Sequence, residues 1–160
     1  MPSDTGSDWH RIEPPMAAPD FTLAQLDDGN VTLSKLHGRI VVMDFWATWC
    51  GPCRFSLPSL EVIYQQYHDR GVSVLLINQG EKAEAVRQWA QRRFTAPILL
   101  DRDSHVGTQY DVQGIPKLVL VDQSGNILYE HEGYGGGLER NLKAILDKLL
   151  APPTDTGAPT

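Results

Sequence analysis

Two cysteines three residues apart, in Trp49-Cys50-Gly51-Pro52-Cys53, constrain this 160-residue chain more than any other feature. They are its only cysteines, and they follow closely on Val41-Val42-Met43-Asp44-Phe45-Trp46, an apolar run that reads as a buried strand. From Pro52 to about Tyr67 the apolar residues Phe55, Leu57, Leu60, Val62, Ile63 and Tyr67 allow an amphipathic helix. The pair therefore sits at a strand-to-helix turn, and any fold of this chain has to bring a strand's end to a helix's start there.

The context separates the chemistries that such a pair can serve. A structural zinc site takes four ligands, and the chain has no second Cys pair and only scattered histidines, at His10, His37, His68, His105 and His131, so no metal is expected. Covalent haem attachment places His directly after the second Cys, where this chain has Arg54. A disulfide closing so short a loop is a poor staple and a good reversible couple, so redox chemistry is the stronger reading and a purely structural bridge the weaker. At the start of the helix, unpaired backbone N–H groups and the positive end of the dipole favour a thiolate on Cys50, which makes Cys50 the attacking thiol. Cys53, one turn further in, is placed to resolve the mixed disulfide. Pro52 suits the helix start, where its missing N–H would have had no intrahelical partner.

Asp44-Phe45-Trp46-Ala47-Thr48-Trp49-Cys50-Gly51-Pro52-Cys53-Arg54 resembles the active-site segment of the thioredoxin family, and Pro58 falls where that family kinks its first long helix. Gly114-Ile115-Pro116, followed by Lys117-Leu118-Val119-Leu120-Val121, resembles the family's cis-proline loop and the strand after it. The resemblance implies an α/β thioredoxin-like fold, a central mixed sheet with helices on both faces. It also implies a Cys50–Cys53 redox disulfide with no further cofactor, protein disulfides as substrates and an upstream thiol reductant as a second partner. Substrate would lie across the groove between Trp49, Gly51 and Pro52 on one side and Ile115 and Pro116 on the other. Asp44, costly within an apolar strand unless it works or is paired, reads as the proton acceptor for Cys53 and completes a catalytic set with the two cysteines.

Upstream, Ala18-Pro19-Asp20-Phe21-Thr22-Leu23, the turn Asp27-Asp28-Gly29-Asn30 and Val31-Thr32-Leu33 read as an N-terminal β-hairpin extension. Between the strand Val72 to Ile77 and Pro116 there is room for an extra helix, about Lys82 to Arg93, and an extra strand, Ile98-Leu99-Leu100. These additions resemble extracytoplasmic thiol-disulfide oxidoreductases of the cytochrome c maturation type, and the opening also resembles peroxiredoxins. A thiol peroxidase is thus an alternative, disfavoured because peroxiredoxins carry Thr where this chain has Ala47. A thioredoxin-fold binding module with a structural disulfide is a third reading. Members devoted to cytochrome c maturation often carry Glu where Ser56 stands, so general disulfide reduction is the better-supported expectation. The Lys that many thioredoxins place near the buried Asp corresponds to Leu76, which predicts a raised pKa for Asp44.

Length and composition fit one domain, and strands alternating with helices imply a mainly parallel sheet covered on both faces. The expected organisation is a mobile segment over 1–17, a thioredoxin-like domain over 18–150 and a disordered tail over 151–160. Within the domain, a hairpin from Lys117 to Glu132 turns at Ser124-Gly125-Asn126, and a last helix runs from about Leu138 to Leu150. Trp46 reads as core, Trp49 as an exposed contact surface, and His68 and His105 as surface residues. A net charge of −6 argues against nucleic-acid partners, and Lys82, Arg87, Arg92 and Arg93 read as the solvated face of a helix. No apolar run is long enough to span a bilayer, which taken literally means cytoplasm, whereas the resemblance implies a periplasmic or extracytoplasmic protein. A monomer is expected.

Overall fold

Residues 40–46 are apolar on both sides of their strand apart from Asp44, so both faces have to be covered, and that requirement organises the molecule. The structure, a computed structural model, describes residues 9–151. Along the chain run β1 (Trp9–Ala17), β2 (Thr22–Gln25), β3 (Asn30–Thr32), β4 (Ile40–Trp46), α1 (Cys53–Tyr67), β5 (Val72–Gln79), α2 (Ala83–Ala90), β6 (Ile98–Asp101), α3 (His105–Gln109), β7 (Lys117–Val121), β8 (Asn126–Glu132) and α4 (Leu138–Leu150). The eight strands form one sheet in the order β1-β8-β7-β4-β5-β6-β2-β3.

β4 is buried at every position, and strand alternation divides its side chains between two cores. Val41, Met43 and Phe45 pack with Leu75, Ile77, Val119 and Tyr110 on the face that carries α3. Ile40, Val42 and Trp46 pack with Leu57, Leu60, Ile63, Leu142 and Leu146, which come from α1 and α4, and with Val86 of α2. The fold is thus the expected α/β type with a central mixed sheet. Only β4–β5 and β5–β6 are parallel, whereas the other five pairings are antiparallel. The mainly parallel sheet that strand–helix alternation implied is therefore corrected: strands and helices alternate from β4 to β7, but β7 enters antiparallel to β4, and the pairings outside β4, β5 and β6 are antiparallel as well.

The N-terminal expectation also needs correcting. Residues 9–17, placed in a mobile segment, form β1 and extend the sheet along β8, with Trp9 opposite His131 and Ala17 opposite Asn126. Trp9 is buried, its ring 4.9 Å from that of His131. Hydrogen bonding to the edge of β8 and one buried indole hold a stretch whose prolines and charges resemble those of a tail. Residues 1–8 of that segment, and all but Ala151 of the tail assigned to 151–160, lie outside the described residues. No helix among the described residues is long and apolar enough to cross a membrane.

α1 begins directly after Pro52 and contains Pro58. Its buried residues include Cys53, Ser56, Leu57, Leu60 and Ile63. Phe55, counted on the apolar face by spacing, is 64% exposed and lies against Tyr134 instead, while Ser56 takes the inward position.

Glu61 straps α1 to the turn ahead of β6. Its carboxylate accepts the N–H groups of Thr95 and Ala96 at 2.9 and 3.0 Å, the Thr95 hydroxyl, and the Gln65 amide at 2.8 Å. Burial alone would raise its pKa, but these donated hydrogen bonds prevail and hold it below its ordinary value. Folding therefore favours the ionised form, whose contribution is complete above the unfolded pKa and is lost as pH falls through the folded one. Glu61→Ala should lower stability by about 1 to 2 kcal/mol at pH 7. The deficit should narrow below about pH 4. Urea melts of both proteins at pH 7 and in the acid range measure this, and an unchanged deficit would show that the charge plays no part.

Candidate active site

Three chain segments meet at one end of the sheet because of strand register. The C-terminal end of β4 pairs antiparallel with the start of β7, Phe45 opposite Lys117, so residues 47–50 come to lie beside residues 115–116. The parallel pairing of Trp46 with Asn78 brings the end of β5 to the same place.

The turn after β4 is held from several directions. The Cys50 N–H donates to the Ala47 carbonyl at 3.2 Å. Glu81, just past β5, accepts both the Thr48 N–H at 2.8 Å and the Thr48 hydroxyl at 2.6 Å, and also the Asn78 amide at 2.8 Å. Arg54 reaches back to the Thr48 carbonyl at 3.2 Å. Nothing in the sequence pattern marks Glu81, because the turn residue it clamps, Thr48, lies 33 residues away.

Cys50 and Cys53 form a disulfide with their Cα atoms 5.3 Å apart. The Cys53 N–H, at the first position of α1, donates to Cys50 Sγ at 3.2 Å, so a helix N-terminal amide points at that sulfur. Cys50 Sγ also lies 3.7 Å from the Ile115 carbonyl oxygen. Cys53 is fully buried, and Cys50 keeps 3% exposure. The Ile115–Pro116 peptide is cis, and the Pro116 carbonyl accepts the Gly133 N–H at 2.8 Å, tying the loop that carries Tyr134 to the same rim.

Around the sulfurs, Trp49 is 71% exposed, Gly51 and Pro52 are exposed, Ile115 is half-buried and Pro116 is buried. Trp49 and Ile115 flank an open hollow whose polar wall is uncharged, from Gln79, Ser104, Thr108 and Gln113. All the residues expected to contact substrate therefore stand around the disulfide.

Asp44 lies beneath the surface, fully buried, with Leu76 and Leu118 opposite it on the neighbouring strands. Its Oδ2 accepts a long 3.4 Å hydrogen bond from Ser56, and its Oδ1 is buried without a partner among the described residues. Burial pushes its pKa well above the usual carboxylate range, and the Ser56 hydroxyl opposes this only in part. The Ser56 hydroxyl also lies 3.2 Å from the Cys53 carbonyl oxygen, so one side chain touches both the buried acid and the backbone of the buried cysteine. Sequence reasoning noted Ser56 only as a departure from a family pattern and did not find this contact.

A family model described as Redoxin matches residues 14–146. The thiol-disulfide oxidoreductase ResA of Geobacillus kaustophilus is 37% identical over 131 residues, covering 80% of this chain and 75% of that protein. The thioredoxin-like protein YneN of Bacillus subtilis is 34% identical over 140 residues, covering 85% of this chain and 81% of that protein. Among solved structures, a Chlorobium tepidum protein assigned as a thiol:disulfide interchange protein DsbE matches with a TM-score of 0.79 at 31% identity, over 86% of this chain and 97% of that one. With a disulfide at the start of α1, a cis-proline loop across from it and a family match over nearly the whole described chain, the protein belongs to the Redoxin family.

Proposed function

We propose that this protein is a thiol-disulfide oxidoreductase that reduces disulfides in other proteins, with Cys50 as nucleophile and Cys53 as resolving thiol. The observation that carries this reading is the Cys53 N–H aimed at Cys50 Sγ from the start of α1, in a pair whose other sulfur is wholly enclosed. In the reduced state the same amide and the helix dipole favour a thiolate on Cys50. That thiolate attacks a substrate disulfide, forming a Cys50–substrate bond and expelling one substrate thiolate. Cys53 loses its proton and attacks Cys50 Sγ, and the second substrate thiolate leaves. Two electrons pass to the substrate, and an upstream dithiol returns them. Trp49, Gly51, Pro52, Ile115 and Pro116 receive the substrate chain, with Ile115 offering backbone for strand-like pairing. The likeness to extracytoplasmic relatives supports a site of action outside the cytoplasm.

Asp44 takes the proton of Cys53 in this scheme. Its raised pKa makes it a stronger base than a solvated carboxylate, and the Ser56 hydroxyl connects the two sites.

The division of labour is tested by trapping. Cys53→Ser should accumulate mixed disulfides with substrate proteins, whereas Cys50→Ser should trap none and should not reduce insulin in the presence of dithiothreitol. Trapping through Cys53 in Cys50→Ser, with none through Cys50, would reverse the assignment. Peroxide consumption measured beside insulin reduction distinguishes the thiol peroxidase, which would consume peroxide and leave insulin intact.

Asp44→Asn should have opposite effects on stability and rate. Folding raises the pKa of Asp44, so its penalty is absent below the unfolded pKa of about 4 and grows with pH until the folded pKa is reached. Removing the ionisable group should stabilise the protein by about 1 to 3 kcal/mol at pH 7 and change little in acid. Insulin reduction near neutral pH should slow by about ten- to a hundredfold, with the deficit shrinking as pH rises and Cys53 ionises unaided. Superimposable pH–rate profiles would remove Asp44 from proton transfer.

A further inference from the structure

The basic residues around α2 do not all behave as a solvated face. Arg87 is spent on the Leu26 carbonyl, 2.9 Å away, where it ties α2 to the loop after β2. Arg93 instead lies over the ring of Trp89, its guanidinium 4.9 Å from the centroid, and Arg54 approaches the same ring from α1 at 5.9 Å. Each guanidinium is anchored by its own hydrogen bond, Arg93 to the Trp89 carbonyl at 2.7 Å and Arg54 to the Thr48 carbonyl at 3.2 Å. Neither has a carboxylate partner among the described residues, where the ion pairs are Arg11–Glu13, Arg70–Asp147, Lys117–Glu130 and Lys143–Glu139. Both line one hollow together with Pro58, Glu61, Trp89 and Phe94. Glu61, the acid in that hollow, already accepts from Thr95, Ala96 and Gln65.

Two like charges held over one indole repel each other, and the one carboxylate in the hollow, Glu61, is committed to other donors, so in a chain of net charge −6 the two guanidiniums leave a local positive spot. Arg54 follows Cys53 directly and holds the Thr48 carbonyl, so this spot adjoins the turn that presents Cys50. Building on the disulfide-reductase reading above, we propose that Trp89, Arg54 and Arg93 form a docking ledge for an acidic segment of the protein whose disulfide Cys50 attacks. Planar guanidiniums already fixed by backbone carbonyls match carboxylates with little further loss of side-chain freedom, and the indole with Pro58 and Phe94 gives the segment an apolar floor. The ledge would act mainly on encounter and orientation, because rim charges govern association more than bound-state affinity.

The test uses the reduced full chain and three synthetic disulfide-cyclised peptides of equal length, with Glu, Ser or Lys on both flanks of the cysteine pair. Tryptophan fluorescence in stopped flow follows oxidation of the protein. Net charge alone would favour the Lys peptide, so the opposite order is diagnostic. The Glu peptide should react about tenfold faster than the Lys peptide at low ionic strength, and added salt should bring the ratio towards one. Arg93→Glu should abolish or invert the ratio, and Arg93→Gln should give an intermediate value, circular dichroism verifying that both variants are folded. A wild-type preference for Lys, or a Glu preference that persists in Arg93→Glu, would overturn the ledge while leaving disulfide reduction intact. If none of the three peptides oxidises the protein and insulin is not reduced, the disulfide-reductase reading fails and the ledge fails with it.

Discussion

The position of β4 at the centre of the sheet is the constraint on which the rest depends. Paired with β5 on one side and β7 on the other and covered on both faces, it has no freedom to shift register: a slip by one residue would send Val41, Met43 and Phe45 into the wrong core. That rigidity fixes where the chain leaves the sheet and enters α1. It also fixes the partners of that turn, because the antiparallel pairing with β7 sets Ile115 and Pro116 across from it and the parallel pairing with β5 sets Glu81 beside it. The site is thus assembled from three loops whose ends are all pinned by one strand, which lets flexible connections hold a precise arrangement.

Placement at the end of β4 has an electrostatic consequence as well. The first N–H of α1, that of Cys53, is spent on the Cys50 sulfur, and the missing N–H of Pro52 costs nothing there. A cysteine in the middle of the same helix would have its sulfur beside saturated backbone, without the donor that Cys53 N–H supplies to Cys50. Fold and reactivity therefore share one cause, the junction of a buried strand with a helix N-terminus.

What the sequence revealed follows the range of the forces concerned. The strand β4, the helices α1, α2 and α4, the hairpins and the dithiol all announce themselves through local spacing, and the structure contains them. Contacts between distant residues left no such trace. β1 looks like a tail because its prolines and charges are what a tail carries, and its order comes from pairing with β8 more than a hundred positions away. The Glu81 clamp on Thr48 and the Ser56 contact with Asp44 join residues on different elements. Phe55 satisfied the helical period yet faces outward, because the apolar stripe of α1 is narrow where the helix meets the site rim. Lys117 runs against composition rules altogether: it is buried, with Nζ 2.9 Å from the Tyr110 carbonyl and 3.5 Å from Glu130.

Lys117 also bears on why Asp44 has no ion-pair partner among the described residues. Strand alternation turns Lys117, paired with Phe45, to the face that carries α3, while Leu118, paired with Asp44, shares the α1 face with the acid. The buried ammonium is therefore on the opposite side of the sheet from the buried carboxyl and is committed to Glu130 and the Tyr110 carbonyl. Asp44 is left with the Ser56 hydroxyl, too weak a donor to hold a full charge in the core. Burial without a compensating cation is what raises the pKa of Asp44, and in the proposed scheme that is what fits it to act as the base for Cys53.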